Sequence, residues 1–120
     1  MRLRALAAVP LAVSIVAVAV AAAGSAPPPR EGRHELAAEG LGTQAWRNVY
    51  EPGEVAAMHE HPKPRYVVVI SGGTLLATAP DGTRRRLELK TGQVVIRPAE
   101  RHALENVGTT RIEVIEIEIP

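Results

Sequence analysis

Two histidines, His59 and His61, stand one residue apart in the stretch MHEHPKPRYVVVISGG, residues 58–73. In an extended chain, side chains two apart leave the same face, so both imidazoles point the same way. Two neutral imidazoles on one face are a start for a transition-metal site. His102, on a later segment beyond Pro98, offers a third nitrogen. The fourth histidine, His34, lies close to an N-terminal linker and is read as unrelated. Taken alone, the His-x-His spacing arises easily, and a strand histidine is more often a satisfied polar residue than a ligand. The third histidine is what gives the pair weight.

These residues need strands to hold them. Residues 43–51 read as a strand ending at the Pro52-Gly53 turn. Val55 to His61 forms a second extended stretch, which Pro62 and Pro64 interrupt because proline donates nothing to a ladder. Tyr66 to Ser71 is β-branched and apolar, a buried strand. Leu75–Ala79 and Arg84–Leu89 flank the turn PDGT at 80–83, where Gly82 is free to take φ > 0. Gly53, Gly72 and Gly92 are read as turn residues. Val94 to Ile96, His102 to Val107 and Arg111 to Ile119 complete the chain. In the last stretch Ile115, Ile117 and Ile119 alternate with Glu116 and Glu118, which predicts a wet glutamate face. Ile112 and Val114 are in the opposite phase, so a bulge near Val114–Ile115 is expected. Roughly eight short strands and no helical period predict an all-β sandwich or barrel.

The N-terminus has a different composition. Arg2 and Arg4 precede an apolar run from Ala5 to Ala23 that ends in small residues and Pro27-Pro28-Pro29. That order predicts a secretory signal peptide over 1–26, with an A-x-A pattern ending at Ala23. A membrane anchor over 5–23 is the alternative. Both place the folded part outside the cytoplasm, periplasmic or secreted. Residues 27–42 read as linker and N-terminal arm, and 43–120 as the β domain. Without Arg2 and Arg4 the charges nearly cancel, and no basic stripe or aromatic surface argues for nucleic acid. The sequence has no cysteine, so a small exported domain must rely on its sheet core, a metal or a partner subunit. Exposed sheet edges favour a homodimer.

The stretch from Gly53 to Gly72 resembles the first cupin motif, G-x5-H-x-H-x3/4-E-x6-G, with Gly53, His59, His61 and Gly72 in place. Gly92 to Asn106 resembles the second, G-x5-P-x-G-x2-H-x3-N, through Gly92, Pro98, His102 and Asn106. The similarity runs from about 43 to 119. The phrases HEHP, DGT…LELKTGQV and HALENVG look most like small single-domain cupins grouped with a β-alanine-degradation protein. The resemblance implies a jelly-roll barrel, and a metal held by three histidines and one glutamate. Here the glutamate position is Arg65, and the second motif's glycine is Glu100, with one residue fewer before His102.

Arg65 decides what the pocket holds. A guanidinium about 4 Å from a divalent ion repels it by several kcal/mol even at an effective dielectric near 20. Pointing inward, Arg65 favours an anion, since its fork suits a carboxylate. Pointing outward, it pairs with Glu60 or Glu105, and the three imidazoles hold Fe, Zn, Ni or Cu with open positions. Glu100, two before His102, is a possible stand-in carboxylate. Arg65, Asn106 and Glu100 are thus the candidate ligand-binding residues, and His59, His61 and His102 the metal ligands. Asn106 reads most simply as a structural hydrogen-bonding residue. Trp46 and Tyr66 read as core or rim packing, and Arg84-Arg85-Arg86 as a solvated strand. Three functions remain open: a metal- or ligand-binding cupin; a metal-dependent oxygenase or isomerase acting on a small carboxylic acid, with Arg65 on the substrate; or a partner-binding barrel whose site has decayed.

Overall fold

The computed structural model of the chain describes residues 1–18, 24 and 26–120. Ala23, the expected cleavage position, lies outside the described residues, as do the last five residues of the 5–23 apolar run. Among the described residues no helix is long and apolar enough to cross a membrane.

The described residues form nine strands: β1 (Arg33–Gly40), β2 (Thr43–Tyr50), β3 (Val55–His61), β4 (Arg65–Ser71), β5 (Gly73–Thr78), β6 (Arg84–Leu89), β7 (Val94–Arg97), β8 (Glu100–Asn106) and β9 (Ile112–Glu118). They build a five-stranded sheet, β1-β2-β9-β4-β7, and a four-stranded one, β3-β8-β5-β6. Every strand pairing is antiparallel. The all-β expectation stands. Within the stretch read as linker and N-terminal arm, residues 33–40 form a strand hydrogen-bonded along β2. Its eight residues are all exposed, so no apolar period marks it in the sequence.

The inner faces of the two sheets meet in a small aliphatic core: Val67 and Val69 from β4, Leu75 and Ala77 from β5, Leu104 from β8, and Ile112 and Val114 from β9, with Tyr50 closing one side. Strand alternation sets which residues enter it. In β9 the phase of Ile112 and Val114 continues unbroken, so Glu116 also faces inward and is buried. The expected bulge at Val114–Ile115 is absent. The irregularities fall instead at Leu36/Ala38, Ala56/His59 and Val69/Ser71. Ile115 and Ile117 therefore lie on the outer face. There, cross-strand pairing makes two apolar rows, Ile117–Tyr66–Ile96 and Ile115–Val68–Val94. Tyr66, Val94 and Ile96 are 42%, 58% and 63% exposed.

The turns follow their residues. Gly82 and Gly92 take φ of +87° and +84°, values that favour glycine. Gly72 serves a different need from the turn expected of it. A Cβ there would lie 2.2 Å from the Leu89 carbonyl oxygen, so glycine permits a close crossing of two backbones. Arg84, Arg85 and Arg86 are exposed on β6, as expected.

Candidate metal centre

Strand register brings the three histidines together. His59 on β3 pairs directly with His102 on β8, and His61 with Glu100 two steps along. The bulge between Ala56 and His59 sets this register. The ring centroids form a near-equilateral triangle with sides of 4.7, 4.8 and 5.0 Å, each pair of rings close to perpendicular. One donor atom from each ring lies within 4.8 Å of the other two.

The outward nitrogens are engaged. His59 Nδ1 donates to the Ala57 carbonyl at 2.7 Å. His102 Nδ1 faces Glu100 Oε1 at 2.6 Å, and His61 Nδ1 faces Glu116 Oε2 at 3.6 Å. The acceptors on His59 and His102 select the tautomer with its proton on Nδ1 and leave Nε2 a bare lone pair, while Glu116, too far from His61 Nδ1 for a hydrogen bond, favours the same tautomer there by its charge. His59 Nε2 and His61 Nε2 stand 2.9 Å apart. His102 Nε2 is, among the described residues, the only buried side-chain nitrogen or oxygen without a hydrogen-bond partner. Burial, then the charge of Arg65, pushes His61 down to about 3. Burial also takes His102 down to about 4, despite the opposing pull of Glu100. At neutral pH both rings are uncharged, which is the form that ligates. Metal–nitrogen bonds of about 2.1 Å at tetrahedral or octahedral angles put donors about 3.0–3.4 Å apart. The donor set therefore fits a divalent transition metal: three neutral imidazoles whose lone pairs converge and repel one another unless a cation or proton lies between them.

Arg65 points inward and is 2% exposed. It reaches neither Glu60 nor Glu105. Its Nε donates to Glu116 Oε2 at 3.1 Å and its Nη1 to the Pro98 carbonyl at 3.0 Å, with Glu100 Oε2 3.9 Å away. The guanidinium is thus paired with carboxylates inside the protein, although its charge still acts on His61 and His102. These contacts use two of its five N–H donors.

Glu100 shares the histidine face, but as a carboxylate behind His102. Arg97 Nη2 donates to both its oxygens at 3.0 and 2.9 Å. Burial raises the Glu100 carboxyl, yet the hydrogen bonds and charge of Arg97, with His102 and Arg65, bring it below its ordinary value. A position on the Nδ1 side of His102 does not suit a stand-in ligand at the Nε2 triangle. Asn106 is on the same strand face, but four residues beyond His102 is about 13 Å along a strand. Its amide donates to the Tyr50 and Thr110 carbonyls and accepts from the Gly108 amide. These bonds and its burial are those expected of a structural hydrogen-bonding residue.

Beside the histidines lies a cavity of about 420 Å³ whose walls include His34, Trp46, Tyr50, His59, His61 and Arg65. His34 is not remote. It stacks on Trp46 with centroids 4.4 Å apart and planes 4° from parallel, and its Nδ1 bonds Asn48 Oδ1. Burial and the charge of Glu116 hold the Tyr50 phenol above its ordinary value. Three participants escaped the sequence reading: Glu116, Tyr50 and the His34–Trp46 wall. Following the Ile112–Val114 phase without a bulge would have found Glu116. Nothing local marks the other two.

Comparison with known proteins agrees with this architecture. No curated protein matches the chain significantly. A cupin domain from Bordetella pertussis Tohama I superposes with a TM-score of 0.73 at 23% identity, covering 79% of this chain and 99% of that one. A double-stranded β-helix domain protein from Klebsiella pneumoniae matches at 0.60 and 23%, covering 79% and 82%. An RmlC-like cupin from Methanocaldococcus jannaschii matches at 0.59 and 18%, covering 78% and 84%. At these identities the likeness establishes the fold. The cupin domain family matches residues 46–118, most of the strand-forming region and all three histidines, and the chain belongs to that family.

Proposed function

We propose that this protein is an exported cupin that binds one divalent transition metal through His59, His61 and His102, together with a small ligand in the adjoining cavity. The observation that carries the reading is the cluster of three histidines whose donor atoms lie within 4.8 Å of one another, with His102 Nε2 buried without a partner. When bound, the metal supplies Lewis acidity, and with Fe or Cu also redox chemistry. Three protein ligands leave positions for an exogenous donor, and the cavity wall of His34, Trp46 and Tyr50 shapes what enters. Export rests on the Arg2/Arg4 start and the apolar run from Ala5 to Ala23. Pairing of two copies rests on the apolar rows of β9, β4 and β7, which a second copy presents in identical form.

An oxygenase or isomerase acting on a small carboxylic acid is the second reading, favoured by a cavity of substrate size directly beside the histidines. In it Arg65, which lines the cavity and keeps N–H donors beyond those bonded to Glu116 and Pro98, is the candidate to hold the acid. Metal content of the protein purified without a histidine tag, beside His102→Ala, tests the main reading. Near one equivalent of one metal, lost in the variant, is expected. No binding after loading with Fe, Zn, Ni or Cu leaves an empty barrel. Perturbation of the Co(II) spectrum by small carboxylic acids is expected if the cavity delivers its ligand to the metal.

A further inference from the structure

The family motif puts a carboxylate where this chain has Arg65, and a decayed site would leave the arginine unpartnered or pointing away. Neither is the case. One guanidinium lies against two carboxylates from different strands, Glu116 of β9 at 3.1 Å and Glu100 of β8 at 3.9 Å. Glu116 stands behind His61, and Glu100 behind His102. In Glu100 the arginine and the imidazole face different oxygens, and in Glu116 both approach Oε2. A further fork from Arg97 fixes Glu100, and the Pro98 carbonyl fixes Arg65 itself. His59 needs no such support, because the backbone carbonyl of Ala57 holds its ring.

We infer that Arg65 is a positioning residue: by hydrogen-bonding Glu116 beside His61, and by its charge near Glu100 behind His102, it sets the tautomer and orientation in which both rings offer Nε2 to a divalent metal. This rests on the metal-centre reading above. The physical case is a balance of charge and geometry. A buried Glu116 and a partly buried Glu100 beside neutral rings are costly without a cation, and a planar fork holds its acceptors in fixed directions where an ammonium does not. Carboxylates behind ligand histidines orient the ring and raise its basicity, and losing one typically costs about ten- to a hundredfold in metal affinity. A substitution that removes the fourth protein ligand thereby strengthens the hold on two of the three that remain. It leaves the centre with three neutral donors, its full cationic charge and open coordination positions.

The test uses the full chain with Arg65→Gln, Arg65→Lys and the charge-balanced double variant Arg65→Gln/Glu116→Gln, which protects against simple misfolding. Long-range ¹H–¹⁵N correlation of the metal-free protein reads the tautomers directly. The wild type is expected to show Nδ1-protonated rings at His61 and His102, and both Gln variants mixed tautomers at His61. Titration with Zn²⁺ alone is expected to weaken about ten- to a hundredfold in Arg65→Gln, with Arg65→Lys between it and wild type. A folded Arg65→Gln with wild-type tautomers and undiminished Zn²⁺ affinity overturns the inference, as does tighter binding, which would make Arg65 a repelling charge. A wild type with fixed tautomers that binds none of Zn²⁺, Co²⁺, Ni²⁺ or Cu²⁺ overturns the metal-centre reading instead. The tautomers of the variants then still decide whether Arg65 orients the rings.

Discussion

The inner face of β8 carries polar side chains at both ends of the barrel, and the two ends behave differently. At one end Asn106, 1% exposed, spends its amide on backbone groups of Tyr50, Thr110 and Gly108. It joins the end of β2 to the turn before β9. At the other end His102 is nearly as buried, yet its inner nitrogen faces other lone pairs and has no partner. A buried polar group with every valence used is architecture. One held in place from behind and left bare in front is kept for something else. Both residues belong to the same sequence motif, and only their surroundings separate the roles.

Substitution at each end should separate metal affinity from stability. His102→Ala is expected to lower Zn²⁺ affinity by more than about a hundredfold, beyond the usual loss from an outer partner, and to abolish the rise in Tm on metal addition. Calorimetric titration and thermal melts with and without Zn²⁺ check this. Retained affinity would mean the histidine end is only architecture. Asn106→Ala should do the reverse, destabilising the fold by about 3 kcal/mol through three lost hydrogen bonds while Zn²⁺ affinity per folded molecule stays unchanged.

Acid should sharpen the contrast. His61 and His102 are held at about 3 and about 4 in the folded protein, whereas unfolded histidines titrate near 6.5. Between those limits the unfolded chain binds more protons, so stability falls as pH drops below about 6.5 and keeps falling toward pH 3–4. Glu100, depressed in the fold, adds loss in the same direction. Urea melts of the metal-free protein from pH 8 to 4 should show the decline, and His61→Gln/His102→Gln should flatten it. Asn106→Ala should only displace the curve, since an amide does not titrate.

Smaller effects lie on the outside. Ile96→Lys puts a charge into the exposed row beside Tyr66 and, if two copies pair as proposed, is expected to turn the dimer into a monomer in gel filtration. A wild type that elutes as a monomer at all concentrations would remove the pairing proposal. Arg85→Ala, on a solvated face, should change stability by less than about 0.5 kcal/mol and leave Zn²⁺ binding alone.

Much of the architecture was legible because its causes are local. β-branched runs such as Val67–Ile70 and turn glycines such as Gly82 impose strands and reversals wherever they occur. His-x-His on an extended stretch fixes a common face. Three features were misread for want of tertiary information. Residues 33–40 became a strand through pairing with β2, although none of them is buried. Glu116 was assigned to water because glutamate usually is. The sheet placed it inside because Ile112 and Val114 on the same face fill the core, and Arg65 from the next strand supplies the countercharge. His34 was dismissed by its distance along the chain, yet β1 carries it to the cavity wall opposite Trp46.

By itself the sequence determined an all-β chain, a shared face for two histidines and a third histidine after Pro98, all consequences of backbone preference and period-two geometry. Only the tertiary structure decided where Arg65 points, which carboxylates answer it, and that Asn106 is structural. Those depend on cross-strand register and on the balance of buried charges, and a buried charge is settled by neighbours that the linear order does not reveal.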